Sequence, residues 1–195
     1  MPKRSLGPFN GKTVLLRAIT SDDLGTVLNW RNKWRIRRNF KTSRPISLSE
    51  HEEWYRRYAA SDTDFVFLIC ERDQTARPVG QVSLYHIDWD KHEAEFGRLM
   101  IGEDDCLHRG FAKEATRLLI GHALGELALH RIYLEVFPFN APAVTLYHRC
   151  GFRLDEYRDG MMRMSLVSGG FEHNSLGLPA SSEDDGQNDR PAEGQ

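Results

Sequence analysis

The most restrictive feature of this sequence is a short helix placed between a strand and a hairpin, within residues 131–167. The segment "RIYLEVF" (131–137) alternates like a strand, and "NAPAVTLYHRC" (140–150) reads as a helix with Pro142 in its first turn, where proline is tolerated. "FRLDEYR" and "MMRMSLV", joined around Asp159-Gly160, then predict a closing hairpin. A chain with this order needs a sheet that a helix can cross over.

The rest of the chain supplies the other layers of such a fold. "TVLLRAI" (13–19) predicts a first strand, and capping-box patterns at Thr20 and Ser47 start two helices. Strands are expected at 64–72, 81–88 and 92–102, with Gly97 as a bulge or kink, and a helix is expected at 110–127. The predicted order is β-α-α-β-β-β-α-β-α-β-β, which is an α+β fold built on a mixed sheet with crossover helices.

Length and charge indicate one domain with two flanking segments. A chain of 195 residues with 40% hydrophobic and 28% charged residues is typical of a single globular domain. We expect a short flexible leader at 1–11, a folded domain at 12–167 and an acidic, disordered tail at 168–195. The tail carries a charge of −5.

Composition also limits the compartment and the cofactors. The start of the chain has no apolar signal region, and no segment is apolar for long enough to span a bilayer, so we expect a cytoplasmic protein without a membrane partner. The three cysteines form no CxxC pair, which fits a reducing compartment. His108 follows Cys106 closely, but no second ligand pair accompanies them, so we expect no metal site.

The segment "HRGFAKEA" (108–115) has the features of an anion site. Gly110 allows a sharp turn before a helix, and the free N–H groups of the first helical turn attract negative charge. Arg109 adds a cation. By itself this pattern is more often a simple turn.

Two segments together resemble the GNAT superfamily of N-acetyltransferases. The spacing N-x-x-A-x-x-L-Y-x-R-x-G-F in 140–152 resembles that family's late helix, "AEFGRLMIG" (94–102) its fourth strand, and "HRGFA" its acetyl-CoA pyrophosphate loop. Leu107 stands where the family usually has Gln or Arg, which removes one side-chain contact but leaves the backbone N–H groups. The resemblance implies a mostly antiparallel central sheet flanked by helices, with acetyl-CoA as co-substrate. The implied cofactor loop consists of Leu107, His108, Arg109, Gly110, Phe111 and Ala112.

The resemblance also implies roles in the reaction of an amine with a thioester. Glu95 is at the family's usual position for the base, although Glu93 lies on the same face of the strand and the sequence does not separate them. Tyr147 would protonate the leaving thiolate, and backbone N–H groups near Met100 and Ile101 would hold the thioester oxygen. Asn140 is expected to cap its helix or to bond the cofactor arm.

The acceptor is expected to meet the segment 30–44, which holds seven basic residues and no acidic one. The pattern of Trp30-Arg31-Asn32, Ile36-Arg37, Ile46-Ser47 and His51 resembles N-acetyltransferases of UDP-linked 4-amino sugars, as in pseudaminic acid biosynthesis. Part of the same pattern resembles relatives that act on protein N-termini, including those of ribosomal proteins. The diphosphate of a sugar nucleotide would need cationic partners. The substrate-binding residues expected on this basis are Trp30, Arg31, Arg37, Arg38 and His51.

Three functions remain open at this point. The first hypothesis is acetylation of a small-molecule amine, in particular a nucleotide-linked amino sugar. The second is acetylation of a protein N-terminus, and the third is a catalytically silent acyl-CoA-binding module. Nucleic acid is not expected as a partner, since the body is only mildly positive and carries no nucleic-acid-binding motif. The sequence leaves the oligomeric state open.

Overall fold

The computed structural model describes residues 3–170, which form one central sheet with helices on both faces. The strands are β1 (Phe9–Asn10), β2 (Val14–Ala18), β3 (Phe65–Glu71), β4 (Pro78–Asp88), β5 (Glu93–Ile101), β6 (Arg131–Val136), β7 (Arg153–Arg158) and β8 (Met161–Val167). The helices are α1 (Leu24–Asn32), α2 (Trp34–Arg37), α3 (Leu48–Ala59), α4 (Phe111–Leu124) and α5 (Ala141–Arg149).

The sheet runs in the order β1-β2-β3-β4-β5-β6-β8-β7 and contains a single parallel pair within the described residues. That pair, β5 with β6, is joined only where Glu93–Glu95 face Arg131–Tyr133. Beyond Glu95 the two strands separate, so the later part of β5 has no partner on its β6 side. The separation opens the sheet towards α4 and α5.

A bulge interrupts β5 close to the point of separation. Ser83 faces Gly97 and Gln81 faces Met100, so β5 contains one more residue than β4 over this stretch. Arg98 adopts the left-handed conformation there, with φ of 50°. A side chain at position 97 would clash, because a Cβ on Gly97 would lie 2.8 Å from the Tyr85 hydroxyl. The expected irregularity at Gly97 is therefore confirmed.

The centre of the sheet, at β3, is buried on both faces. Every residue of β3 is buried, with Phe65, Phe67 and Ile69 in the core under α4. The alternate residues of β3 pack on the other face in a second core that includes Val27 and Trp30 of α1. A strand covered on both sides reads as a continuous apolar run, as "FVFLICE" does.

The predicted fold class is confirmed, with two additions to the element order. A short helix, α2, lies between the two predicted N-terminal helices, and β1 precedes the predicted first strand. Ser47 and Glu50 form the predicted capping box before α3.

The flexible leader expected at 1–11 is wrong for its later residues, because Phe9 is buried and stacks on His122 at 4.0 Å. Most of the predicted acidic tail, residues 171–195, lies outside the described residues. Within residues 3–170, no helix is both long and apolar enough to cross a membrane.

Candidate active site

The separation of β5 from β6 opens onto a cavity of about 510 Å³, called here the α4–α5 cleft. Its walls come from the end of β5, the loop before α4, and the first turns of α4 and α5. From the predicted cofactor residues it gathers Met100, Ile101, Leu107, His108, Gly110, Phe111, Ala112 and Asn140. Residues far apart in sequence therefore meet at one cleft.

One end of the α4–α5 cleft is an anion cradle made of backbone. Gly110 precedes α4 in the left-handed conformation with φ of 85°, which an L side chain rarely adopts. The first helical N–H with a partner is that of Glu114, which donates to the Gly110 carbonyl at 3.1 Å. The N–H groups of residues 111–113 have no partner among the described residues and carry the positive end of the helix dipole.

Arg109, expected in this cradle, lies elsewhere. Its guanidinium donates to Glu71 Oε1 at 2.7 Å and lies over the Phe111 ring at 4.6 Å, and the residue does not line the cleft. The cleft is lined instead by Arg35, Lys113 and Arg149. Arg35 is paired with Asp104, whereas Lys113 and Arg149 are exposed and have no ion pair within residues 3–170. Arg149 is the arginine of the L-Y-x-R pattern, so the sequence contained a signal for it.

A second cavity, the Tyr147 cavity of about 360 Å³, adjoins the α4–α5 cleft. Tyr147 and Glu95 both line it. The two cavities share wall residues, among them Leu99, Asn140 and Ala143, so they meet beside the bulge of β5. The two predicted catalytic side chains are thus brought to one space that opens on the cleft.

Glu95 is held rigidly in the Tyr147 cavity. Its side chain is only 12% exposed. Its Oε1 accepts a hydrogen bond from the Tyr85 hydroxyl at 2.7 Å, and its Oε2 lies 2.9 Å from His86 Nδ1. Burial and the neighbouring Glu95 carboxylate raise the pKa of Tyr85, which keeps its proton for this bond.

Glu93, which the sequence does not distinguish from Glu95, lies outside the Tyr147 cavity. Its carboxylate is 3.5 Å from the guanidinium of Arg131, at the start of the paired stretch of β5 and β6. The geometry therefore favours Glu95 over Glu93 as the carboxylate next to a bound amine.

Tyr147 presents its hydroxyl from an apolar setting. The residue is 7% exposed and its ring packs edge-on against Phe96 and Phe152, with centroids 6.0 and 5.9 Å away. Burial raises the pKa of Tyr147 well above its usual value of 10.0, so the phenol stays protonated at neutral pH. No side chain within residues 3–170 hydrogen-bonds this hydroxyl.

Leu99 lies closer to the junction of the cavities than the two residues predicted for the thioester oxygen. Met100 and Ile101 line the α4–α5 cleft but not the Tyr147 cavity, whereas Leu99 lines both. Asn140 precedes α5 without making a side-chain cap bond, and it also faces both cavities. Its amide is thus free for another partner.

The predicted substrate residues are divided between a third cavity and the remainder of the domain. This cavity, the His51 chamber of about 420 Å³, is lined by His51 and Arg31, and it shares Arg31, Phe40, Thr42 and Arg98 with the Tyr147 cavity. Trp30 is only 2% exposed, and its indole donates to Glu103 at 2.7 Å. Trp30 is therefore a core residue, and this placement does not support its expected substrate contact.

Arg37 and Arg38 line none of these three cavities. Arg37 donates to the Ser43 carbonyl at 2.6 Å and lies over the exposed Trp34 ring at 4.7 Å, while Arg38 is exposed. Their expected role beside the acceptor is not supported by this placement.

A family model described as an acetyltransferase (GNAT) domain matches residues 13–153. The chain belongs to the GNAT acetyltransferase family. It is 30% identical over 137 residues to the spermidine N(1)-acetyltransferase of Vibrio cholerae, covering 70% of this chain and 77% of that protein. An uncharacterised N-acetyltransferase of the SPbeta prophage of Bacillus subtilis is 24% identical, covering 86% of this chain and 89% of that protein. The crystal structure of the Vibrio cholerae spermidine N-acetyltransferase with CoA and spermine superposes with a TM-score of 0.72 at 27% identity, covering 81% of this chain and 97% of that one.

This GNAT protein is therefore an acyltransferase that uses acetyl-CoA as co-substrate, and the alternative of a silent binding module is not retained. The relative with a known substrate is a spermidine acetyltransferase, rather than one of the amino-sugar or N-terminal acetyltransferases that the N-terminal pattern resembles. Within residues 3–170, no group of three or more His, Cys, Asp or Glu side chains is placed to hold a metal ion.

Proposed function

We propose that the Tyr147 cavity is the acceptor site, where Glu95 acts as the base and Tyr147 as the acid. The observation that carries this proposal is the placement of both side chains in one cavity at the point where β5 and β6 separate. A carboxylate and a phenol in one cavity are suited to remove a proton from an attacking amine and to supply one to a leaving thiolate.

Acetyl-CoA supplies the acyl group as a thioester whose carbonyl carbon accepts the amine. Glu95 takes the amine proton, directly or through a water, while Tyr85 and His86 hold its two oxygens in place. We assign stabilisation of the developing oxyanion to a backbone N–H of the β5 bulge near Leu99, the bulge residue that lines both cavities. The Tyr147 hydroxyl gives its proton to the sulfur as the C–S bond breaks, leaving the acetylated amine and the CoA thiol.

The α4–α5 cleft fits the nucleotide end of the co-substrate. The unpaired N–H groups before and within the first turn of α4 suit a pyrophosphate, and Lys113 and Arg149 add two cations without competing carboxylates. Asn140, which has no cap bond, is placed to hold the pantetheine amide at the junction of the cavities.

For the acceptor we propose a primary amine on an anionic small molecule, with a nucleotide-linked amino sugar as the leading candidate. The charges around the Tyr147 cavity support this choice. Lys41 pairs with Glu135 at 2.5 Å, and Arg98 pairs with both oxygens of Asp64 at 2.7 and 2.9 Å. Arg31 bonds only the Thr42 carbonyl and the face of the Phe40 ring, so its charge has no carboxylate partner within residues 3–170.

A polyamine is the second candidate, because the relatives include spermidine acetyltransferases. Two carboxylates, Glu95 and Glu135, line the Tyr147 cavity and could receive two ammonium groups if Lys41 released Glu135. Against this, Arg31 would repel a polycation from the same wall.

The test is a comparison of kcat/KM for a UDP-linked amino sugar, the same amino sugar without UDP, spermidine, and a peptide with a free N-terminus. We expect the nucleotide-linked sugar to be preferred, and Arg31→Gln to raise its KM while Arg37→Gln has no effect. Equal efficiency for the bare sugar would refute the anionic acceptor. Preference for spermidine or for the peptide would move those alternatives to first place.

A further inference from the structure

Three buried polar atoms without partners surround the His51 chamber. They are Arg31 Nη1, His51 Nε2 and Gln81 Oε1, and each belongs to a side chain that lines this cavity. They come from three separate elements, namely α1, α3 and β4. Buried polar groups in folded proteins are nearly always hydrogen-bonded, so a cluster of unsatisfied ones around a cavity calls for an occupant.

The chamber carries one cation that is not neutralised. Arg44 pairs with Glu50 at 2.5 Å, and Arg57 pairs with Glu53 at 3.1 Å. Arg98 is bound by Asp64, which leaves Arg31 as the remaining cation of the chamber wall without a carboxylate within residues 3–170. An oxyanion is the group that such a guanidinium binds best.

The other two side chains suit the same group. His51 stacks on Trp54 with ring centroids 5.0 Å apart, and this fixes its ring while an N–H of the imidazole remains available as a donor. The Gln81 side chain is only 4% exposed, and no hydrogen bond holds its amide in one orientation within residues 3–170. The amide can therefore turn its NH₂ group towards an anion.

We propose that the His51 chamber binds an oxyanion group, a carboxylate or a phosphate, of the amine that the enzyme acetylates. The proposal rests on the assignment of the Tyr147 cavity as the acceptor site, because the two cavities share the wall of Arg31, Phe40, Thr42 and Arg98. The three orphan atoms are closed off from solvent. Direct contact with an anion therefore requires the side chains that cover these atoms to shift.

The experiment measures anion binding without any amine. Trp54 reports on the chamber through its stacked His51, so tryptophan fluorescence is titrated with inorganic phosphate and, separately, with acetate at ionic strength matched with chloride. Saturating CoA is present throughout, so that the α4 cradle is filled. We expect a saturable change with one of the two anions, which also identifies the group, and loss of that change in Trp54→Phe.

Arg31→Gln and His51→Phe should each weaken this binding about ten-fold or more, whereas Arg56→Gln, an exposed arginine of α3 that lines none of the three cavities, should not. His51→Phe keeps a stacking ring, so it serves if Arg31→Gln does not fold. The proposal is overturned if neither anion changes wild-type fluorescence, or if both chamber variants bind like wild type. Since no acetyl transfer is measured, that outcome would leave the roles of Glu95 and Tyr147 untouched.

Discussion

Tyr85 and Glu95 face each other across β4 and β5, and the tyrosine hydroxyl donates a 2.7 Å hydrogen bond to the carboxylate. The same hydroxyl lies over the bare Cα of Gly97, where a Cβ would approach it to 2.8 Å. The position of the proposed base is thus linked to the absence of a side chain two residues further along β5.

Gly97→Ala should lower kcat, because the added methyl group displaces Tyr85 from Glu95 and leaves the carboxylate free to rotate. Steady-state kinetics and a thermal unfolding curve would be measured together. Gly25→Ala in α1 is the matched control, since a Cβ there meets no atom within 4 Å. Equal loss of activity in both variants would contradict the proposed link.

Glu95→Gln should lower kcat by about 10²–10⁴-fold, the range usual for a general base, while Glu93→Gln should retain most of the activity. The reason is that Glu95 lines the Tyr147 cavity and Glu93 is held by Arg131 outside it. Initial rates with saturating amine would decide between them. A larger loss in Glu93→Gln would reverse the assignment.

Tyr147→Phe should lower kcat by about 10²–10⁴-fold with little change in acetyl-CoA affinity. The ring keeps its contacts with Phe96 and Phe152, so only the proton donor is lost. Calorimetric titration of acetyl-CoA provides the binding measurement. Wild-type turnover in this variant, under conditions where chemistry limits the rate, would reduce Tyr147 to a packing role.

Gly110→Glu should abolish acetyl-CoA binding in the folded protein. The φ of 85° strains any L side chain, and the carboxylate would repel the pyrophosphate at the free N–H groups of α4. Lys113→Gln should weaken binding, with a smaller salt dependence than wild type. Arg109→Gln is the control, because Arg109 bonds Glu71 and does not line the cleft. If Gly110→Glu binds acetyl-CoA with unaltered affinity, the N–H groups at the start of α4 are not part of the acetyl-CoA site.

Stability should fall in mild acid, and His51 should contribute to that fall. Burial and the nearby Arg31 hold the pKa of His51 below its ordinary value of 6.5 in the folded protein. Above that pH the residue is neutral in both states and has no effect. As pH drops below about 6.5 the unfolded chain binds a proton that the folded chain resists, so the free energy of unfolding decreases. Unfolding temperatures measured between pH 5 and 8, about the range over which histidine titrates, should decline less in His51→Phe than in wild type.

The sequence predicts most of the sheet and the approximate position of the late helix, because those segments combine apolar periodicity with clear start and stop signals. β3 is buried on both faces and appears as an unbroken apolar run. The sequence does not predict β1, of two residues, or α2, of four residues. Segments this short show no periodic pattern of apolar residues.

The candidate site is predicted less completely than the fold. The family resemblance predicts Tyr147, Glu95 and the loop around Gly110 as site residues, and the structure gathers them about adjoining cavities. The sequence predicts Arg109 at the cofactor, but in the structure it bonds Glu71. The sequence alone does not distinguish an arginine that faces the ligand from one that pairs with a carboxylate distant in the chain. The contribution of Gln81 depends on strand register and could not be read from the chain.

The short pairing of β5 with β6 divides the sheet into two parts, β1–β5 with five strands and β6–β8 with three. Only three residue pairs connect these parts. If the extended pantetheine arm of the co-substrate lies between these two parts, it would hydrogen-bond to the unpaired edge of β5 as an additional strand would. Acetyl-CoA would then link the two parts of the sheet as well as supply the acetyl group. After CoA leaves, the two parts would be free to shift relative to each other. Binding and release of acetyl-CoA would then lengthen and shorten the hydrogen-bonded contact between the two parts of the sheet in each turnover.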